Sequence, residues 1–359
     1  MLFLNISSIY LRCGLLIDKS DHLNKEFDSN KGKLQYINPS HFVEYKSKKL
    51  FLFEISFLKI DNFAKSFDFK YIAKFHQDEP IYYNGNMTKG KNEIITKIFS
   101  QKMEKFGNQA QLAITGIDYI NNNIENSFFN LPKEAINKLV IVGDGQNNDN
   151  SLLTKNIKNK INLKDKLYPY LLTIGTDDLT VYKVDSVNSF AKLGYNSLGP
   201  TSLWSLLNLT CNYDDTKLAL SEVIKGNNEL IDLSVGDIYG GDYAGVSLCS
   251  ELIACSFSKV SNGDNINKVN QKDIGKAIFI FYGVTYAQVA AMVSSGIKVD
   301  KNIICGDTFE SFELIQLIQN CLAVFNGNTS QAIFNDYSNY FSIIGMIIEL
   351  DKLGLIKNQ

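Results

Sequence analysis

The residue types best suited to chemistry gather in one short stretch, Gly236-Asp237-Ile238-Tyr239-Gly240-Gly241-Asp242-Tyr243. Adjacent glycines suit a tight turn with positive φ, and the flanking aspartates can fold back on neighbouring amides. A plain surface turn is the simplest account of such a composition. Elsewhere the inventory is sparse. The six cysteines, at 13, 211, 249, 255, 305 and 321, form no Cys-x-x-Cys pair. Beside only three histidines, His22, His41 and His76, they give neither a zinc spacing nor a disulfide frame. A reducing compartment and no resident metal-ligand set are expected.

The elements that must position this stretch are read from apolar periodicity. A helical run from Asp214 to Leu233 precedes it, and another element opens near Ser247 and ends at Cys255-Ser256-Phe257. Phe3 to Ile17 reads as strand, turn and strand, Gln35 to Asn38 as a strand, and Leu50 to Leu58 as a central strand. Lys91 to Phe106 places Ile94, Ile95, Ile98, Phe99 and Met103 on one helical face. Gln111 to Thr115 reads as a short strand and Leu131 to Val142 as a helix, followed by a polar surface insertion over Gln146 to Lys166. The second half opens on the strand Tyr168 to Ile174. It continues with a long helix (Lys272 to Ser295), a strand (Asn302 to Cys305) and helices over Phe309 to Phe325 and Tyr340 to Leu353.

At 359 residues, 45% hydrophobic and 21% charged, the chain suits a globular α/β protein of two domains. A net charge of -2 gives no electrostatic case for nucleic acid or an acidic membrane surface. No run is read as the ~20 apolar residues of a membrane span. The apolar start, Met1 to Ile17, lacks a basic leader region and carries Arg12 mid-run, so a buried strand is expected there.

From Tyr168 to Val260 the order of motifs resembles the eukaryotic (type II) pantothenate kinase family. That family has an Ile-Gly-Ser-Gly strand turn, then Thr-Ser-Leu-Gly-Gly-Gly-Thr-Phe, then Asp-Ile-Tyr-Gly-Gly-Asp-Tyr, then Ala-Ser-Ser-Phe-Gly. Here the third is intact as Asp237, Ile238, Tyr239, Gly240, Gly241, Asp242 and Tyr243, while the others survive in part. The resemblance implies two ribonuclease-H-like lobes of the actin-like ATPase fold shared by sugar kinases and actin. Residues 1–167 would form the N-terminal lobe, with polar insertions, and 168–359 the C-terminal lobe, with the motifs and a dimer helix. It also implies ATP and magnesium as reaction partners and pantothenate as phosphoryl acceptor, in coenzyme A biosynthesis.

Carried over residue by residue, the phosphate-facing positions are altered. The family's Asp-Ile-Gly-Gly-Thr-Leu-Thr-Lys corresponds to Asn5-Ile6-Ser7-Ser8-Ile9-Tyr10-Leu11-Arg12, an amide in place of the magnesium-shell carboxylate. The second turn is Ile174-Gly175-Thr176-Asp177, and the triple-glycine run is Asn196-Ser197-Leu198-Gly199-Pro200-Thr201-Ser202-Leu203. Asp177 adds a charge facing polyphosphate, and Pro200 lacks an amide donor. Thr115-Gly116-Ile117-Asp118 lies where a Thr-Gly-Gly-Gly turn would be, and counting forward to the family's general base reaches Asn123. Glu125 is the nearby acid that could replace it. Toward the C-terminus Gly306-Asp307-Thr308-Phe309-Glu310 stands for Gly-Asn-Phe-Leu-Arg, and Asp336-Tyr337-Ser338-Asn339-Tyr340-Phe341-Ser342 for Glu-His-Glu-Gly-Tyr-Phe-Gly.

Fold-shaping positions match while phosphate-touching ones differ. The expectation is a cytoplasmic family member that is catalytically weakened or inactive. It would form a dimer through the helix Lys272 to Ser295, with an active pantothenate kinase paralogue as a candidate partner. The alternative is an active pantothenate kinase whose loops are rebuilt around Ser7, Ser8, Thr176, Thr201 and Ser202. An unrelated sugar or acetate kinase is disfavoured by the intact run from Asp237 to Tyr243.

Overall fold

The structure is a computed structural model that describes residues 1–7, 9–19, 34–35, 41–73, 80–99, 102–132, 158–213, 216–243, 245, 250, 252–261, 263, 266–307 and 311–356. Ser8, most of the run expected as a helix over 131–142, and the polar segment up to residue 157 lie outside the described residues.

Apolar residues on both faces build β1 (Leu2–Ile6) and β2 (Tyr10–Asp18), an antiparallel pair joined by a short turn. β3 (Phe42–Tyr45) and β4 (Lys48–Ser56) extend the pair on one side. β5 (Ile81–Gly85) and β6 (Met103–Lys105) add parallel strands on the other, giving the order β3-β4-β2-β1-β5-β6. Helices α1 (Ile60–Lys65), α2 (Phe67–Ala73) and α3 (Lys89–Phe99) belong to this half, and α4 (Gln109–Asn123) follows.

The second sheet repeats the plan. β9 (Tyr170–Gly175), β10 (Leu179–Ser186) and β11 (Ser189–Asn196) form an antiparallel meander. Then α5 (Pro200–Cys211), α6 (Thr216–Val223) and α8 (Gln271–Ser294) lead to the parallel strands β14 (Lys301–Gly306) and β15 (Gln331–Asn335), linked by α9 (Phe312–Phe325). Between α6 and α8 lies a small pair, β12 (Leu233–Ser234) and β13 (Ile253–Cys255), with the short helix α7 (Val235–Tyr239). The chain closes on α10 (Phe341–Lys352). In both sheets three antiparallel strands, β1, β2 and β4 in the first (with β3 added outside β4) and β9 to β11 in the second, are followed by two parallel strands added beside the first of them. This repeated order is the ribonuclease-H-like arrangement of the actin-like fold. β7 (Phe128–Asn130) and β8 (Asn159–Ile161) come from the first half of the chain, yet they extend the second sheet beyond β15.

Three apolar layers hold the sheets. One fills the space beside α1 to α3, and another lies among α5, α8 and α9. The third, around α4 and α10, joins residues of both sheets. There α4 and α10 cross so closely that a side chain at Gly116 would strike the Phe341 backbone, and one at Gly345 the Leu112 carbonyl.

Several sequence expectations change. Gln111 to Thr115 is not a strand but part of α4, and Thr115-Gly116 is a helix crossing rather than a turn. Lys91 to Phe106 divides into α3 and β6, and Gln35 is not in a strand. The element ending at Cys255 is the strand β13. Contrary to expectation, α8 is long and apolar enough to cross a membrane by length and composition. It packs against α5, α6 and α9, and burial from several sides is what makes a core helix so apolar.

Candidate active-site cleft between the lobes

The register of the first sheet lines up four polar side chains on its inner face. Glu54 on β4 pairs with Arg12 on β2, Arg12 with Asn5 on β1, and Asn5 with Asn84 on β5. On one side the next positions of this face, Phe3, Leu52 and Tyr82, belong to the core, so the row is a polar strip at the edge of a buried surface. The Arg12 guanidinium forms an ion pair with Asp307, which follows β14 in the second sheet, and its Nε lies 3.4 Å from Glu54. Arg12 is 2% exposed and Asp307 0%. Burial works against the Arg12 charge, but Asp307 and Glu54 more than offset it and keep the guanidinium protonated. Asn84 Nδ2 donates to the carbonyls of Phe106 and Gly107 at 2.8 and 3.0 Å, fixing the approach to α4.

Around this row the turns of both sheets converge. Ser7 Oγ accepts the amides of Ile9 and Tyr10 at 3.3 and 3.0 Å, so its acceptor is committed within its own turn. Lys91, near the start of α3, donates to the Ser7 carbonyl at 2.7 Å. Burial lowers the Lys91 pKa, against the pull of Asp177 and Asp307. After β5, the Asn86 amide donates to the Ile6 carbonyl at 3.0 Å. Its side chain donates to Asp177 Oδ2 at 2.6 Å, across the cleft. Asp177 sits in the β9–β10 turn, where the Thr176 amide donates to the Asp178 carbonyl at 2.9 Å. Asp177 Oδ1 accepts from the Thr201 hydroxyl, 3.0 Å away in the first turn of α5.

The glycines here have a reason of their own. A side chain at Gly199, the N-cap of α5, would meet the Asp177 backbone at 2.6 Å. One at Gly175 would meet the Tyr286 ring at 3.0 Å. Gly85 and Gly306, both at positive φ, lie against the Ile6 and Gly175 carbonyl oxygens. Each of these glycines is required by close approach within the protein itself.

Thus Asn5, Ser7, Gly175, Thr176, Gly199, Thr201 and Gly306 are brought to one cleft. Ser197 is exposed at its edge, and its carbonyl accepts the Gly199 amide at 3.2 Å. Glu125 is not brought there. It is exposed on the turn after α4, at the far end of a 15-residue helix of about 22 Å from Asn108. Asn123 is also exposed, its side chain bonded to the Tyr119 carbonyl at 2.8 Å. No glycine turn lies at Thr115, and the first lobe's strand-end glycine at this cleft is Gly85, at the end of β5. An apolar triplet, Ile81-Tyr82-Tyr83, followed by Asn-Gly was the available signal. Sequence inspection also missed Arg12, Asn84, Asn86 and Lys91 as partners in one cluster.

The run from Asp237 to Tyr243 is a short helix and its exit. Ser234 and Asp237 form a reciprocal cap on α7, and Lys259 pairs with Asp237 at 2.6 Å. Asp242 accepts the Ser250 amide at 2.7 Å, and the exposed rings of Tyr239 and Tyr243 stack at 4.3 Å. These bonds tie the run to β13 and its flanks, not to the cleft turns. Gly240 has φ +77 and Gly241 an ordinary φ, both facing open space. Gly240→Val is therefore expected to lower stability by about 1–3 kcal/mol, and Gly241→Val by less than about 0.5. Thermal melting of both variants measures the difference, and equal melting points would refute the backbone account.

Magnesium between protein and polyphosphate asks for carboxylate oxygens that are not already holding cations. Here Asn5 is an amide, Asp307 lies on Arg12, and Asp177 is bonded from two sides. The donor set in this arrangement does not fit a magnesium–polyphosphate.

Two α/β lobes of repeated order, closing on paired strand turns, define the actin-like class to which sugar kinases belong. The Fumble family profile matches residues 15–349, and the chain belongs to that family, the type II pantothenate kinases of coenzyme A biosynthesis. It is 29% identical over 195 residues to pantothenate kinase 2 of Arabidopsis thaliana, covering 53% of this chain and 21% of that one. To the Schizosaccharomyces pombe pantothenate kinase it is 28% identical over 189 residues, covering 51% and 46%. To Arabidopsis thaliana pantothenate kinase 1 it is 35% identical over 128 residues, covering 34% and 33%. The chain spans less than half the length of these relatives. Among solved structures, a Streptomyces griseus ROK family glucokinase in complex with glucose and AMPPNP aligns at TM-score 0.42 and 9% identity, covering 98% of this chain and 99% of that one. Balamuthia mandrillaris glucokinase in complex with glucose aligns at 0.41 and 12%, covering 97% and 92%.

Proposed function

We propose that this chain is a pantothenate kinase family protein that transfers phosphate weakly or not at all, and that it serves in the cytoplasm as a subunit of a dimer. An active pantothenate kinase is the proposed partner. The observation that carries this reading is the pair of acidic residues in the cleft. Asp177 and Asp307 already engage Asn86, Thr201 and Arg12, groups that would otherwise face an incoming polyphosphate. Loss of one preorganised donor to developing charge costs about 2.7–4 kcal/mol. Two losses of that size, the amide donor missing at Pro200 and the magnesium-shell carboxylate missing at Asn5, correspond to roughly 5–8 kcal/mol, or about four to six decades of rate. That range is an upper bound, because such effects are not additive.

The proposed dimer face is narrower than sequence periodicity implied. Along α8, Ala277 and Ile278 are core, while Phe281 and Met292 remain exposed, beside half-buried Val284 and Val289. Calorimetry of Mg-ATP on the purified chain, with light scattering on the same sample, tests the reading. A dissociation constant weaker than about 1 mM is expected, with a dimer or a mixed dimer on adding an active kinase. Low-micromolar binding would instead support an active kinase with rebuilt loops, using pantothenate as acceptor. A monomer that ignores the added kinase would remove the subunit role.

A further inference from the structure

The groups that converge on Asp177 come from three separate elements. Its Oδ2 accepts from Asn86 at 2.6 Å, in the turn after β5 of the first sheet. Its Oδ1 accepts from Thr201 at 3.0 Å, at the start of α5 in the second lobe. Lys91, held at 2.7 Å on the Ser7 carbonyl, feels the Asp177 charge from the first lobe. The turn itself is wedged in place, since the backbones of Asp177 and Asp178 fill the side-chain position of Gly199 at 2.6 Å.

The chemistry at this point suits an anion. Helix α5 begins with a glycine N-cap that supplies no side-chain cap bond, followed by Pro200. A negative charge at a helix start is favoured by the partial positive charge of its first amides. The Asn86 amide on the opposite lobe completes the surround, and the carboxylate reaches it and the Thr201 hydroxyl from one position, with the Lys91 charge acting from further off.

Resting on the reading of this cleft as a degenerate nucleotide site, we infer that Asp177 is a built-in anion that latches the two lobes together and keeps polyphosphates out. The latch acts in two ways. The hydrogen bond from Asn86 closes the cleft without ligand, and that from Thr201 fixes the carboxylate within its own lobe. The fixed negative charge repels any polyphosphate that seeks the same donors. These two effects respond to different substitutions. Asp177→Asn keeps the shape of the side chain and removes its charge. Asn86→Ala removes the bond between lobes and leaves the charge.

Inorganic tripolyphosphate and Mg-ATP are the probes, titrated by calorimetry against the full chain and both variants. Hydrogen exchange of the 81–91 and 175–178 segments is followed in parallel. Asp177→Asn is expected to bind tripolyphosphate about fivefold to a thousandfold more tightly, the span set by one like charge near 4 Å in water or at an effective dielectric of 20. Asn86→Ala is expected to raise exchange in both segments without a comparable gain in affinity. If Asp177→Asn does not fold, Asp177→Gly takes its place with the same expected gain.

Unchanged affinity in the charge-removing variant, beside a wild type that binds neither probe, overturns the latch and leaves the proposed function standing. So does unchanged exchange in Asn86→Ala. A wild type that binds Mg-ATP in the low micromolar range and loses it on Asp177→Asn overturns both, and makes Asp177 a ligand of the bound nucleotide's metal.

Discussion

Arg12→Met is expected to lower the free energy of unfolding by about 3–5 kcal/mol, because it leaves Asp307 charged in a buried site. Against the 5–15 kcal/mol typical of a native protein, that is a large share. The corresponding fall in melting temperature is about 4–7 °C for a chain of this size. The loss is one of pairing rather than of bulk, since methionine fills much of the same volume. Removing both charges, in Arg12→Met with Asp307→Leu, should recover most of the loss, as apolar replacements of buried pairs often do. Glu54 remains in the double variant with both carboxylate oxygens buried, and it accounts for the part not recovered. Urea unfolding midpoints of the wild type and the two variants decide the matter. A single variant as stable as the wild type would show that the pair does not join the lobes in solution.

The second large effect is expected at Gly306. Its φ is +120, and a methyl group there would collide with the Gly175 carbonyl oxygen of the paired strand. Backbone strain of about 1–3 kcal/mol and overpacking of a similar size put Gly306→Ala near 4 kcal/mol. The damage should also spread. Gly306 ends β14 just before Asp307, and Gly175 ends β9 just before the turn that carries Asp177. Pushing the two strand ends apart therefore displaces both carboxylates from their partners in the first lobe. Melting and hydrogen exchange of the 171–178 segment report the two consequences. A fall in stability without increased exchange there would confine the effect to β14.

The second half of the chain was the more legible. β9, β14, α8, α9 and α10 fall within a few residues of where apolar periodicity placed them. In each, the side chains that meet the core repeat at the spacing of their own backbone, so the signal is local. The reading failed at α4 for a physical reason. Leu112, Ala113, Ile114, Ile117 and Ile120 are all buried, in a helix that packs against α10 within the core joining both sheets. A helix covered on most sides loses the polar stripe that reveals its period, and a short apolar run then resembles a strand. β8 was missed for the opposite reason. Two of its three residues, Asn159 and Lys160, are polar and exposed, and only Ile161 packs against a core from the edge of the sheet.

The sequence by itself determined the family, through motifs whose order and residues survive, and it raised the expectation that phosphate-facing positions are changed. It named Asn5, Asp177, Pro200 and Asp307 one at a time. Only the tertiary structure decided what those changes do together. Arg12 and Asp307 are separated by 295 positions, and Asn86 and Asp177 by 91. No periodicity links such pairs, because each is set by strand register within its own sheet and by how the two sheets close on α4 and α10. A carboxylate read alone is only a charge. Across the cleft from the Arg12 guanidinium it becomes a fastening, because burial removes the water that would otherwise satisfy both partners, whereas the Asn86–Asp177 bond lies open to solvent.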